Sequence, residues 1–498
     1  MVEQPAIDAA LGEWRAALGP EWVCSEPAAL SRLGRDTRPG QSAVAALLLP
    51  GDLAQVRSAM QIAGRFGVPL HPISRGRNWG YGGAQAPRQG AVVLSLERMD
   101  RIRRFDPELA WIELEPGVSF QALADFLAAQ PRCFWPPWTG GPAEGSVVGH
   151  ALARGLGSGW VQDVAATVTG LELLLADGRS VRTGSLGELQ GLRPRGLGPD
   201  ATQLFFQSSL AIVAAMTLQL CPMPARVLPL QFRMCDDRQL AGVIERLRPA
   251  LQSRLWPIEL QLFDDVYQLA LGGPAAARGL AEAPLAAETR ARLRQRWGGA
   301  RWAARGALFG EDDEQLGELR RRLATLLDGG VERLRFHAIE DGRSYLQGRD
   351  DGLALAWWRN PRERAPGQTP LEAGCGLSWL AVAVPQRAEA LLAALALIEA
   401  RLHAAGFDRA ISLRLLDGRS VVLLVPVLFD AGDPEQAACA HACQSELFAA
   451  LATAGFHPVR LGIGDAAPEG VRDPGLDELF AQALDPAGLL CRGLYTTC

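Results

Sequence analysis

The sequence predicts a two-domain α+β protein, and three observations lead to this fold class. At 498 residues, the chain is long for a single domain. A Cys-Pro-Met-Pro stretch at residues 221–224 interrupts an apolar segment and indicates a domain boundary. Beyond it, short strands alternate with helices rich in Ala, Leu and Arg, a pattern typical of a sheet covered by helices. The predicted parts are residues 1–222, residues 223–460 and a C-terminal segment of residues 461–498.

In the first part, apolar spacing and capping residues predict the elements. Residues 7–18 repeat apolar side chains at helical spacing. A second, short helix is predicted up to Leu33, and a further helix between Asp52, which can cap its start, and Gly67, which can end it. The strands are predicted at residues 43–49, 91–96, 111–114 and 170–176, the last of them followed by a hairpin turn at Asp177 and Gly178.

In the second part, strands and helices alternate along the chain. Strands are predicted at residues 228–232, 302–308, 376–384 and 420–426. The clearest helices are predicted at residues 313–327 and 385–405. This alternation favours a second α+β layer with its own sheet.

The composition argues against several classes of protein. The net charge is −5 with no basic block, so nucleic acid is a poor candidate for a partner. All 50 basic residues are arginine, which excludes a Schiff-base lysine and a P-loop lysine. The nine cysteines are scattered, and we interpret them as reduced thiols of a cytoplasmic protein. We find neither a signal peptide nor an apolar run of the ~20 residues that a membrane helix needs.

Glycines cluster in the sequence Pro-Ile-Ser-Arg-Gly-Arg-Asn-Trp-Gly-Tyr-Gly-Gly-Ala at residues 72–84. Glycine lets backbone N–H groups approach an anion closely, and a diphosphate is the obvious ligand. The stretch opens no predicted helix and lacks a P-loop lysine, so it fits neither common phosphate motif. Glycine count alone leaves a surface loop with turn glycines as an equal alternative. A second glycine-rich stretch at residues 140–159 favours the binding site.

These stretches resemble flavoproteins related to vanillyl-alcohol oxidase and 4-cresol dehydrogenase. The resemblance implies a two-domain PCMH-type FAD-binding fold, in which residues 1–222 bind FAD, residues 223–460 form an α+β substrate (cap) domain and residues 461–498 return to the FAD domain. The matching blocks follow the family's order and cover most of the chain, at residues 72–84, 90–99, 115–118, 145–149, 154–157, 170–178, 182–184, 206–209, 374–377 and 483–486.

The resemblance also identifies candidate residues for the cofactor. In the two glycine-rich stretches, backbone amides and short polar side chains would neutralise the diphosphate. Gly170 has a structural turn as its alternative role, and Arg75 and Arg77 have a solvated surface role as theirs. The candidates are Ser74, Arg75, Gly76, Arg77, Asn78, Gly80, Tyr81, Gly82, Pro116, Gly145, Ser146, Gly149 and Gly170.

Two departures from the family concern the substrate. Relatives of this kind bind a phenolate with two tyrosines and an arginine; Tyr81 and Arg460 match one of each, but Val459 replaces the second tyrosine. His457 is a candidate replacement, with a surface histidine as the alternative. The family's acid/base aspartate falls near Gly141; Glu144 is the candidate substitute, with a solvent-facing loop glutamate as the alternative.

A further departure concerns the attachment of FAD. The positions that carry a covalent tether in the family fall on Gly376 and near Asn78. The sequence therefore predicts non-covalent FAD, with Cys375 as the alternative tether.

The predicted function is an FAD-dependent oxidoreductase that oxidises an aromatic substrate, a para-substituted phenol or aryl alcohol, by hydride transfer to flavin N5. An enzyme acting on a natural-product intermediate and a non-catalytic flavin-binding subunit stay as alternatives. Pro116 lies at a position where the family's oxidases carry proline or glycine, so O2 is the expected acceptor. A homodimer stays open as the assembly.

Overall fold

The computed structural model describes residues 4–185, 190–275, 278–280, 282–295, 298–347, 352–465, 467–468, 471 and 473–491. The helices in this part are α1 (Gln4–Leu18), α2 (Pro27–Leu33), α3 (Leu53–Phe66), α4 (Phe120–Ala128), α5 (Val147–Leu152), α6 (Asp237–Ser253), α7 (Asp265–Ala270), α8 (Ala287–Gln295), α9 (Asp313–Leu327), α10 (Gly342–Gln347), α11 (Ala388–Ala404), α12 (Pro434–Thr453) and α13 (Pro474–Leu484).

The strands of the described part belong to four sheets. They are β1 (Val23–Cys24), β2 (Val44–Leu48), β3 (Leu70–Ile73), β4 (Ala91–Ser95), β5 (Ile102–Asp106), β6 (Trp111–Leu114), β7 (Phe134–Trp135), β8 (Val168–Leu174), β9 (Ser180–Arg182), β10 (Ile212–Gln219), β11 (Cys221–Pro222), β12 (Arg226–Met234), β13 (Ile258–Asp264), β14 (Trp302–Gly310), β15 (Glu332–Phe336), β16 (Cys375–Pro385), β17 (Ser412–Leu415), β18 (Ser420–Asp430) and β19 (His457–Arg460).

Residues up to 222 build two main sheets. The first has the order β1-β2-β4-β3, with β2, β4 and β3 parallel. Its helix α3 is capped at the start by Asp52, whose side chain accepts from the Gln55 N–H, and is followed by the C-cap Gly67 with φ of 64°. The second sheet has the order β5-β6-β10-β8-β9 and is antiparallel. Strand β3 ends where the first glycine-rich stretch begins, so the first sheet positions that loop.

Residues 226–460 build one antiparallel sheet of eight strands, in the order β15-β12-β14-β13-β17-β18-β16-β19. One face is apolar: Leu230, Leu262 and Leu413 are buried there in a single core with residues of α6, α9, α11 and α12. Because side chains alternate along a strand, every second residue lies on the opposite face, which turns toward the first part of the chain. The predicted border at residue 222 falls just before this sheet.

The C-terminal segment packs on the first part. The Leu70 N–H donates to the Leu489 carbonyl at 2.8 Å, and the Cys491 N–H donates to the Leu70 carbonyl at 2.8 Å. Earlier in the segment, the Ile463 N–H donates to the Tyr81 carbonyl at 2.8 Å. Described residues of this segment therefore touch both the first sheet and the glycine-rich loop.

Candidate active site

A cavity of about 730 Å3 lies between the glycine-rich stretches and the eight-stranded sheet. One wall, here called the glycine wall, consists of residues 71–83 and 138–158 where they line the cavity. The opposite wall, here called the sheet wall, is formed by side chains of β12, β13, β14 and β17. Val459, Arg460 and Ile463 close one side between the two walls.

Asp36 fixes the conformation of the first glycine-rich loop. Its Oδ2 accepts from the Gly80 N–H at 3.0 Å and from the Gly82 N–H at 2.8 Å. Burial raises the pKa of the Asp36 carboxyl to about 6, although hydrogen bonds from Gly82 and Thr37 act in the other direction. Asp36 was not singled out in the sequence, because it lies in a polar loop outside the glycine-rich stretch.

Gly80 and Gly82 allow the two parts of the chain to approach each other. They have φ of 81° and 124°. A Cβ on Gly80 would collide with the Trp379 ring, and one on Gly82 would lie 2.6 Å from Ile463 Cγ1. Since both N–H groups already donate to Asp36, these two glycines serve packing and turn geometry, and the amides open to an anion lie earlier in the loop. Gly80 does not line the cavity.

The earlier part of the loop fits a diphosphate. Among the described residues, no backbone carbonyl accepts from the N–H groups of residues 75–79. Arg75 fastens this part of the loop, since its Nε donates to the Glu144 carbonyl at 2.6 Å and its Nη1 to the Gly117 carbonyl at 2.9 Å. Arg77 and Asn78 are exposed and line the cavity. The backbone therefore presents several donors to an anion in one short segment.

The second glycine-rich stretch meets the first at Ser74. Ser146 caps α5: its Oγ accepts from the Gly149 N–H at 2.9 Å and donates to the Pro116 carbonyl at 2.6 Å. A Cβ on Gly149 would lie 3.0 Å from Ser74 Oγ. Ser74, Gly145, Ser146 and Gly149 all line the cavity, so the two predicted stretches form one continuous wall.

Tyr81 and Arg460 come together across the cavity's closed side. The Arg460 guanidinium carbon lies 3.9 Å from the centre of the Tyr81 ring, a cation–π contact. Arg460 Nη2 donates to Asn78 Oδ1 at 2.8 Å. Its Nε is buried and has no acceptor among the described residues. A charged donor on an aromatic ring at a cavity wall suits an anionic oxygen.

His150 is a cavity residue that sequence reasoning missed. Its Nε2 is buried without a hydrogen-bond partner among the described residues. Burial and the charge of Arg460 lower the pKa of His150 to about 3, although backbone hydrogen bonds with Leu156 and Gly155 act to raise it. The imidazole is therefore neutral at neutral pH. Its only signal in the sequence is its place directly after Gly149.

Several predicted residues lie away from the cavity. His457 is exposed on β19 and does not line the cavity. Glu144 is also exposed, and its carbonyl, which accepts from Arg75, is the part that serves the loop. Gly170 lies in β8, where a Cβ would be 2.8 Å from the Thr183 carbonyl. Pro116 is buried behind Ser146 and does not line the cavity.

The alternative covalent tether also lies outside the cavity lining. Cys375 is buried, and Asn360 Nδ2 donates to its Sγ at 3.1 Å. Burial raises the pKa of the Cys375 thiol to about 11. Gly376 follows it in β16 and packs against Phe429. No group of three or more potential metal ligands occurs within the described ranges.

The sheet wall carries polar side chains at aligned positions. Gln231 pairs with Arg305, Arg305 with Gln261, and Gln261 with Arg414 across neighbouring strands. These four residues, here called the polar row, all line the cavity. Beside them, burial raises the pKa of Tyr267, while Ser412 and Arg414 act in the opposite direction.

A two-walled cavity with glycine-presented amides on one side fits a diphosphate-containing cofactor, and comparisons with known proteins identify it as FAD. Residues 44–184 match the family described as FAD binding domain. The chain is 32% identical to 1'-carboxy-chondrochloren decarboxylase of Chondromyces crocatus, over 99% of this chain and 98% of that protein. It is 24% identical to the 4-cresol dehydrogenase [hydroxylating] flavoprotein subunit of Pseudomonas putida, over 99% and 96%.

Solved structures show the same fold. p-Cresol methylhydroxylase with substrate bound has a TM-score of 0.86 at 22% identity, covering 99% of this chain and 97% of that one. 4-Ethylphenol oxidase from Gulosibacter chungangensis, in its isoeugenol complex, has a TM-score of 0.87 at 23% identity, covering 99% and 98%.

The chain belongs to the PCMH-type FAD-binding flavoprotein family, and it is an FAD-dependent oxidoreductase of that type. The predicted family, the two-domain α+β fold and the FAD cofactor are confirmed. No helix in the described ranges is long and apolar enough to cross a membrane.

Proposed function

We propose that this enzyme oxidises a phenolic substrate whose oxygen is held as an anion by Tyr81 and Arg460. The observation that carries the proposal is the Arg460 guanidinium, which lies 3.9 Å from the Tyr81 ring centre at the cavity wall. FAD, when bound by residues 74–79 and 145–149, supplies the hydride acceptor. Side chains of the protein would bind and orient the substrate and stabilise the charge on its oxygen.

Arg460 would favour the ionised phenol, because an opposite charge at hydrogen-bond distance lowers a pKa. Asn78 orients the guanidinium through the 2.8 Å hydrogen bond from Nη2. Val459 leaves the second tyrosine position of the family without a hydroxyl. Since His457 lies outside the cavity lining, Arg460 and Tyr81 would hold the phenol oxygen without it.

The neutral His150 adds an acceptor or donor near Arg460. Its lowered pKa keeps it uncharged at neutral pH, so it would not repel the Arg460 guanidinium. A neutral imidazole can donate or accept a hydrogen bond with a phenol or with water at this position. Glu144, exposed and away from the cavity, has no comparable access.

The test is to replace the two residues and to separate cofactor binding from substrate oxidation. In Arg460→Gln and Tyr81→Phe, anaerobic bleaching of the flavin by a 4-alkylphenol should slow by about 10- to 150-fold, as expected for a lost charge-assisted hydrogen bond. The dissociation constant for FAD should stay nearly unchanged.

Arg401→Gln is the matched control, because Arg401 is exposed on α11. It should leave both quantities as in the wild type. An equal loss of FAD affinity in the Arg460 and Tyr81 variants would assign both residues to the cofactor instead. Absence of bleaching by any phenol in the wild type would favour a flavin-binding subunit without catalysis.

A second candidate is oxidative decarboxylation of a phenolic natural-product intermediate. It is favoured by the similarity to 1'-carboxy-chondrochloren decarboxylase over nearly the whole chain. In this reaction, a phenol with a –CH2–CHX–COO⁻ substituent would lose a hydride from the benzylic carbon and release CO2. The electrons of the broken C–COO⁻ bond become the new C=C bond. Trapped CO2 in a ratio of one per flavin reduced would distinguish this reaction from simple oxidation.

We also propose that FAD is bound without a covalent bond. Asn78 is occupied by Arg460, Gly376 has no side chain, and the buried Cys375 does not line the cavity. Acid precipitation should therefore release the flavin into the supernatant. Yellow colour in a washed pellet would contradict this, and Cys375 would be the first residue to replace.

O2 is the proposed acceptor of the electrons. Pro116 supports this proposal through the family resemblance, and it contacts the cavity residue Ser146 through its carbonyl. Stopped-flow mixing of the reduced enzyme with air-saturated buffer should reoxidise the flavin faster than free flavin. Pro116→Ala should slow that step and leave reduction by substrate unchanged. Slow reoxidation combined with rapid turnover of an artificial dye would make the enzyme a dehydrogenase.

A further inference from the structure

We infer that the polar row of the sheet wall is a carboxylate subsite, in which Arg305 and Arg414 bind an acid group of the substrate. The inference rests on the proposed function, because it places the second polar end of a phenolic substrate. None of these four residues stood out in the sequence, since they lie on four strands separated by 30 to 109 residues.

The register of the sheet brings the two arginines to one place. Arg305 of β14 and Arg414 of β17 are both direct partners of Gln261 on β13, which lies between them. Residues directly opposite each other in a sheet project to the same face. The two arginine Cα atoms are therefore two strand spacings apart, about 10 Å. Two arginine side chains can close that gap around one carboxylate.

The two carboxamides complete the row. Gln231 flanks Arg305 on its other side. Gln261 Nε2 donates to Glu259 Oε1 at 2.7 Å and lies 3.5 Å from Ser158 Oγ, so its amide is anchored to the glycine wall. Arg414 is anchored similarly, with Nη2 donating to Ser158 Oγ at 3.2 Å. Gln261 and Arg414 are thus held in place before any ligand arrives, which reduces the entropy lost on binding.

The charges on this face favour an anion. Glu259 is buried, accepts from the Gly159 N–H at 2.5 Å and lies 3.6 Å from Arg414 Nη1. It therefore offsets part of the Arg414 charge. Arg305 is exposed, lines the cavity one strand away and brings a second guanidinium group to the row. Glu340 also lines the cavity and borders β12 at Val227; burial and the neighbouring Asp341 charge raise its pKa.

The subsite is well placed relative to Arg460. In the order of the sheet, β17 and β19 are three strands apart, which corresponds to about 14 Å between backbones. Arg414 and Arg460 both line the cavity, so a phenol ring with a short acidic side chain would reach from one to the other. A guanidinium binds a carboxylate through two parallel hydrogen bonds, which a neutral amide cannot reproduce.

The test measures binding to the oxidised holoenzyme by calorimetry, with 4-hydroxyphenylpropanoate and its neutral amide as the two probes. The wild type should bind the acid at least about tenfold tighter than the amide. Arg305→Gln should lose most of this preference while its affinity for the amide stays the same. Arg414→Gln should act in the same direction. If Arg414→Gln proves unstable on heating, the binding measurement on Arg305→Gln decides, because Arg305 is exposed.

Arg335→Gln is the matched control. Arg335 pairs with Gln231 on the outer strand β15 and is exposed, but it does not line the cavity. Its variant should keep the full preference for the acid. Equal affinity of the wild type for acid and amide, no measurable binding of either, or unchanged acid binding in Arg305→Gln would overturn the subsite. Tight acid binding without flavin bleaching would keep the subsite and contradict the proposed oxidation.

Discussion

The glycine wall and the sheet wall enclose the same cavity, but they are built in opposite ways. The glycine wall uses backbone groups of two continuous segments, residues 71–83 and 138–158. The sheet wall uses side chains that four separate strands contribute to one row. A cofactor bound by backbone amides leaves a local motif in the sequence. A substrate bound by side chains on a sheet leaves single residues far apart, which become a site only through the register.

The largest effect is expected for a substitution in the glycine wall, where it should weaken the binding of FAD. A leucine at Gly149 would fill the space beside Ser74 Oγ, which a Cβ alone already approaches to 3.0 Å. Gly149→Leu should weaken FAD binding by about 10- to 100-fold, because overpacking of this kind costs about 1–3 kcal/mol. The flavin content of the purified protein and its dissociation constant for FAD measure the effect.

Gly64→Leu provides the control outside the cavity. Gly64 is exposed on α3, does not line the cavity and has no atom within 4 Å of its Cβ position, so this variant should retain its flavin. Full flavin content in Gly149→Leu would show that the cofactor does not occupy the junction of the two stretches.

A smaller effect is expected where the two walls meet. Gly80→Ala puts a Cβ into the Trp379 ring at φ of 81°. We expect this variant to lower the free energy of unfolding by about 2 kcal/mol, through strain and contact together. Gly90→Ala is the matched comparison, because Gly90 has φ of 74° and open space around its Cβ position. Equal losses in the two variants would show that Trp379 does not press on the loop. Chemical denaturation of both proteins measures the difference.

The smallest effect concerns pH and the buried histidines of the glycine wall. His71 and His150 have pKa values lowered to about 4 and about 3, mainly by burial. Their unfolded pKa is near 6.5. The folded protein therefore keeps them neutral, and their stabilising contribution is complete above pH 6.5. It is lost progressively as the pH falls from 6.5 toward 4 for His71 and toward 3 for His150. Each group contributes a slope of up to about 1.4 kcal/mol per pH unit.

His150→Gln should remove the contribution of one histidine from the pH dependence of the free energy of unfolding between pH 6.5 and 5. Urea unfolding at several pH values gives the slope directly. His441→Gln changes an exposed histidine on α12 and serves as the control, with the wild-type slope expected. An unaltered slope in His150→Gln would mean that this imidazole titrates similarly in both states.

The sequence predicted the glycine wall because its chemistry is local. The neighbouring residues were enough to predict the loop, residues 145–149 of the second stretch, the break at residues 221–224 and the eight strands β2, β4, β6, β8, β12, β14, β16 and β18. The role of Asp36 in the loop was not predicted, because its partners Gly80 and Gly82 lie more than 40 residues away in the sequence. Gly80 and Gly82 were assigned to the diphosphate because glycine spacing does not reveal that an internal carboxylate already accepts from their amides.

The sheet wall could not be predicted in the same way. Arg305 and Arg414 lie in ordinary strand patterns, and nothing in sequence spacing states that both flank Gln261. Tyr81 and Arg460, separated by 379 positions, were paired through the family resemblance alone. Their contact in the cavity follows from the position of β19 at the edge of the eight-stranded sheet.

The central claim is that the wild-type enzyme activates its substrate as a phenolate at Tyr81 and Arg460. The most direct measurement compares flavin reduction by 4-propylphenol and by its methyl ether under anaerobic conditions, at saturating concentrations in a stopped-flow instrument. The ether keeps the ring and the benzylic carbon but cannot ionise. We predict that the phenol bleaches the flavin and that the ether does so at least about 100-fold more slowly. Equal rates for the two compounds would contradict phenolate activation.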